Sequence, residues 1–91
     1  MNMNIEVEVR QDHIDRGMKR NTECCPIALA ILDHFEGIRS ASVGRGIRIL
    51  PGKGGERTVV CKHTRHSFAF MLAFDDGRDV EPFKLKLEPK Y

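Results

Sequence analysis

The residues with the widest chemical reach in this 91-residue chain are three cysteines and four histidines. Cys61, His63 and His66 stand close together, with Cys24 and Cys25 far upstream. Two thiolates and two imidazoles are enough for a tetrahedral zinc site. The spacing argues against one, because adjacent cysteines share an ion poorly and the chain has no Cys-x-x-Cys pair. The expectation is no metal and no cofactor, with the cysteines serving as small apolar interior residues. A second chemistry is a thiol nucleophile. Cys24 or Cys25 at a helix start would have its thiol activated, with His13, His34, His63 or His66 as base. No local arrangement commits any of them, so no catalytic residue is assigned.

A third chemistry is anion binding. The stretches Val43-Gly44-Arg45-Gly46 and Pro51-Gly52-Lys53-Gly54-Gly55-Glu56-Arg57 are rich in glycine and basic residues. Backbone N–H groups beside lysine and arginine can hold phosphate. Neither stretch has the Gly-Lys-Ser/Thr ending of a nucleotide-binding loop, and two hairpin turns with solvated charges would give the same pattern. The surroundings add weight. The net charge is only +2, yet residues 39–66 hold Arg39, Arg45, Arg48, Lys53, Arg57, Lys62 and Arg65 against Glu56 alone. Unpaired charges avoid the interior, and a one-signed face raises encounter rates with partners of the opposite sign. Arg45, Arg48, Lys53 and Arg57 are therefore the candidate binding residues. With no tryptophan and one tyrosine, base stacking would fall to phenylalanines needed in the core.

These groups have to be positioned by a small core. The longest apolar run, Pro26-Ile27-Ala28-Leu29-Ala30-Ile31-Leu32, predicts a central buried helix of about 11 residues, too short for a membrane span of roughly 20. Pro26 suits the first helical position. Thr22 and Cys25 are the candidate caps, Thr22 by its chemistry and Cys25 by its place before the proline. Asp33, His34 and Glu36 return the helix to solvent, and Gly37 is its natural stop. Leu29 and Ile31 are expected in the core.

Elsewhere, residues 5–10 alternate as a half-buried strand. Asp12 is the expected cap of a short turn of helix ending at Gly17. Residues 40–43, 47–50 and 58–61 read as short strands. Thr64 is expected to cap a second helix with Phe68, Met71 and Leu72 on one face and Phe70 and Phe74 beside them, ending at Gly77. A last strand carries Phe83, Leu85 and Leu87 inward. Glu6 and Glu8 are opposite in sign to Lys84 and Lys86, which sets the first and last strands side by side. The expected fold is a single α+β domain over residues 1–91. It has an about four-stranded, mostly antiparallel sheet with two main helices on one face. An odd number of cysteines, two of them adjacent, is a poor disulfide framework, and the N-terminus lacks the apolar centre of a signal peptide. Both suggest the cytoplasm.

Three pieces in order carry a further resemblance. They are Asp12-His13-Ile14-Asp15-Arg16-Gly17 after a strand, Cys25-Pro26-Ile27-Ala28-Leu29-Ala30, and Phe74-Asp75-Asp76-Gly77 leading to Val80-Glu81-Pro82-Phe83. Together they resemble a family of small uncharacterised accessory proteins of bacteriophages and prophages. The resemblance implies a phage-encoded protein working in the cytoplasm of a bacterial host. It brings no activity and no functional residues. Lys84 and Lys86 replace the more acidic alternation of that family, so its charge pattern does not carry over. The leading expectation is a non-enzymatic protein that acts by binding a host or phage protein, inhibition of a host protein, defence components included, being one form of that action. The alternatives are a nucleic-acid or nucleotide-phosphate binder using the basic middle segment, and a cysteine-dependent enzyme.

Overall fold

Alternation between charged and apolar residues makes the first strand, β1 (Ile5–Val9), which buries Val7 and Val9 and exposes Glu6 and Glu8. A computed structural model describes residues 5–35, 38–51 and 58–89. After β1 the chain runs through α1 (Gln11–Arg16), α2 (Pro26–His34), β2 (Ile38–Val43), β3 (Ile47–Pro51), β4 (Val59–Lys62), α3 (Arg65–Asp75) and β5 (Phe83–Pro89). The α+β class is as expected, with five strands in the order β1-β5-β4-β3-β2 and every neighbouring pair antiparallel. The first and last strands do lie together, with Val7 opposite Leu85 and Glu8 opposite Lys84. Their described ion pair is diagonal, Lys84 Nζ to Glu6 Oε1 at 3.8 Å. Both groups are exposed, so it is worth about 0–1 kcal/mol. Only two residue pairs, Cys61 with Pro89 and Lys62 with Glu88, join β5 to β4. The sheet is thus a β1–β5 ribbon attached at one end to a β2–β3–β4 meander.

One apolar cluster holds the fold. Val7, Val9, Leu85, Leu87, Cys61, Ile47, Ile49, Ala41 and Val43 turn inward from all five strands and meet Ile27, Ala28, Ile31, Phe70 and Phe74 of the helices. Among the described residues the helices therefore cover one face of the sheet and leave the other open. Pro26 opens α2 as expected, and Cys25 is its cap, with Sγ accepting from the Ala28 N–H at 3.4 Å. Thr22 is not the cap. Pro26 fixes where the helix starts, so only its immediate neighbour has the extended backbone of a cap. Ile27 and Ile31 are fully buried. Leu29 is only half-buried and belongs neither to the core cluster nor to the residues packed against it, so the expectation of a core leucine there is not met. Gly37, the expected stop, lies outside the described residues; the helix ends at His34.

Two expectations about the other helices need correction. Asp12 does not cap α1. Arg10 takes that position, because the His13 ring reaches back and its Nδ1 accepts the Arg10 N–H at 2.9 Å. In α3 the buried face is Ser67, Phe70 and Phe74. Phe68 and Leu72 are 38% and 52% exposed, and Met71 is half-buried. The Phe70 ring packs on Phe83 with centroids 4.7 Å apart. Ser67 can share this face because its hydroxyl is satisfied by the helix start: it accepts from Thr64 N–H at 2.9 Å while Thr64 Oγ1 accepts from Ser67 N–H at 3.0 Å. Thr64 caps the helix as expected. Gly77, at φ +78, follows its end. The Gly77 N–H reaches the Phe74 carbonyl and the Arg78 N–H the Ala73 carbonyl, the paired bonds of a Schellman ending. No described helix is long and apolar enough to cross a membrane.

Candidate basic binding face

The open face of the sheet is built by strand alternation. Arg48 stands exposed between buried Ile47 and Ile49, as the sequence implies. Register places Arg48 between Ser42 on β2 and Val60 on β4. Lys62, two residues beyond Val60, is exposed beside buried Cys61. Diagonal neighbours of this kind sit about 7–8 Å apart. Leu50 and Ser40 continue the same face. It therefore has a small apolar centre, with Val60 39% exposed, flanked by two cations. The β1–β5 half of the face sets Glu6 opposite Lys86 and Glu8 opposite Lys84, so these charges balance. The basic bias belongs to the meander.

Arg45 occupies the β2–β3 turn and is exposed. That turn is pinned from two sides. The His63 ring donates from Nε2 to the Gly44 carbonyl at 2.8 Å, while its Nδ1 lies 2.9 Å from the Ser67 hydroxyl. The Val43 N–H bonds the Thr22 carbonyl at 2.8 Å. Burial pushes the His63 pKa down, partly offset by the Gly44 bond, so the ring serves neutral, as a clamp. The structure thus sets Arg45 and Arg48 at one end of the open face and adds Lys62, which the sequence counts among the bases without singling it out. Lys53 and Arg57 lie outside the described residues.

The thiols do not converge with the histidines. Cys25 and Cys61 are buried, and burial pushes both thiols up, away from nucleophilic thiolates. Cys25 already spends its sulfur on the cap. Among the described residues the group with metal-ligand spacing is Asp12, His13 and Asp33 instead, an arrangement the sequence reading missed. Asp33 sits twenty residues from His13, and no local pattern links them. His13 is almost wholly buried. Its Nε2 donates to Asp33 Oδ2 at 2.7 Å and its Nδ1 is taken by Arg10, so neither nitrogen is left for a substrate or an ion. Arg16 bridges Asp12 and Asp33 at 3.1 Å each, and Arg10 holds Asp12 at 2.9 Å. The cluster is a charge-matched lock between α1 and α2.

That lock has a pH signature. The Arg10 hydrogen bond above all holds the Asp12 carboxyl down at about 2, and the His13 hydrogen bond lowers Asp33. A carboxylate with a depressed folded pKa adds stability above its unfolded value, and that stability is lost as pH falls through the folded one. Between 3.8 and about 2, wild-type stability should fall more steeply than that of an Asp12→Asn/Asp33→Asn variant. Urea melts at stepped pH check this. Parallel curves would show that the pairs carry no linkage.

Neither protein-family models nor curated proteins nor solved structures offer a match to this chain.

Proposed function

We propose that the chain is a non-enzymatic bacteriophage accessory protein that binds an acidic surface of a host protein through the outer face of the β2–β3–β4 meander. The observation that supports this reading is the uncovered patch where Arg48 and Lys62 flank exposed Val60, with Arg45 at the adjoining turn. An apolar centre with a charged rim is the anatomy of a protein interface. The patch offers no aromatic ring on which a base would stack, which favours protein over nucleic acid as the partner. The phage origin rests on the three sequence motifs. Covering a host surface is the form of inhibition that fits a protein with no assembled catalytic group among its described residues.

The test is capture from bacterial host lysate with and without nuclease, followed by direct titration of the captured protein. Replacing Arg45, Arg48 and Lys62 together by glutamate should leave the melting curve nearly unchanged and weaken binding by more than about tenfold. Wild-type affinity should fall as salt rises. Nuclease-sensitive capture would shift the reading to nucleic acid. Unchanged affinity in the triple variant would leave the patch as solvated surface.

A further inference from the structure

On the helix side of the Arg45 turn a cavity of about 240 Å³ opens between three parts of the fold. Arg20, Asn21 and Thr22 line it from the segment before α2, Gly44 and Arg45 from the β2–β3 turn, and Met71 and Asp75 from α3. Cys25 and Val43, both buried, complete its apolar part. Drug-sized and nucleotide ligands need roughly 300–1,000 Å³, so the space suits something smaller.

Arg10, Arg16 and Arg78 each pair with an aspartate. Among the described residues, no carboxylate forms an ion pair with Arg20 or Arg45. Two arginines with no ion pair among the described residues, Arg20 and Arg45, therefore line one small cavity. Asp75 lines it as well. One of its oxygens, Oδ1, accepts the Arg20 N–H at 2.9 Å, and Arg20 is held there at φ +57, a left-handed backbone that a non-glycine residue adopts at a cost. The cavity is thus lined by two arginines, one aspartate and a short apolar wall. A simple anion would use the arginines and leave Asp75 opposed to it. A ligand carrying both signs would use all three.

We propose that this cavity binds a small zwitterion of the α-amino-acid type, with its carboxylate on Arg20 and Arg45, its ammonium on Asp75, and a short side chain against Val43 and Met71. This site is separate from the protein-binding reading and shares only Arg45 with it.

The test is titration of the isotope-labelled full chain with L-valine, followed by amide chemical shifts. Saturable shifts should concentrate at residues 20–25, 43–46 and 71–75. Valinamide lacks the carboxylate and N-acetylvaline lacks the ammonium; each should bind about tenfold or more weakly, the scale of a lost charge-assisted hydrogen bond. Arg45→Ala should abolish saturation. Asp75→Asn keeps an oxygen for the Arg20 N–H, so the fold should survive, while valine loses its advantage over N-acetylvaline. A retained dispersed amide spectrum shows that each variant is folded. Absence of saturable shifts with valine, equal binding of valine and N-acetylvaline, or tighter binding of inorganic phosphate than of valine would each overturn the proposal.

Discussion

Replacing Ile31 with alanine should lower stability by about 2–5 kcal/mol. Ile31 is fully buried in the middle of α2, among residues from both the ribbon and the meander. Truncation there removes apolar burial and leaves a cavity that close-packed neighbours cannot fill. For a small domain that is a large share of a total of about 5–15 kcal/mol, and each kcal/mol moves the midpoint by about 4–8 °C. Leu29→Ala on the same helix should cost clearly less, since Leu29 keeps part of its surface in water. Thermal and urea melts of the two variants decide the matter. Equal losses would mean that α2 is rotated from the orientation described.

The second large effect concerns Gly17. Its φ of −67 suits any residue, so it is glycine for want of space. A Cβ there would lie 2.7 Å from both Cδ and Cγ of Pro26 and 3.0 Å from the His13 carbonyl oxygen. The proline ring cannot swing aside, because it is buried at the first position of α2. Gly17→Ala should therefore force α1 and α2 apart, at about 1–3 kcal/mol or more. Gly44→Ala is the matched control, since a Cβ at Gly44 meets nothing within 4 Å. Urea melts showing equal effects for the two would remove close packing as the reason for Gly17.

How legible each part was depended on whether its cause was local. Pro26 announces the start of α2 through its own ring, and Thr64 and Gly77 bracket α3 through cap chemistry readable within four residues. The pairing of β1 with β5 was also readable, because matched alternation and opposite charges are written in both strands. The face of α3 was not. Phe68, Met71 and Leu72 make as good an apolar stripe as Phe70 and Phe74, and the choice falls to Phe83, a contact made only in three dimensions. The His13–Asp33 lock was invisible for the same reason. Of the four candidate binding residues, Arg48 was placed correctly by simple alternation. Its neighbours Lys62 and Val60 needed the strand register to join it on one surface.

The pairing of the first strand with the last also sets an order of events during synthesis. A ribosome makes β1 long before β5, while the meander and the helices between them emerge with nearer partners at hand. Val7 and Val9 must stay without their sheet partners until Leu85 and Phe83 have left the exit tunnel. Contacts of such high sequence separation form late and slow the overall rate. During that interval the nascent β1 offers an unpaired edge to any chaperone or neighbouring chain. Glu6 and Glu8, whose side chains stand exposed in the finished fold, would then act as gatekeepers that keep the waiting strand from pairing with itself.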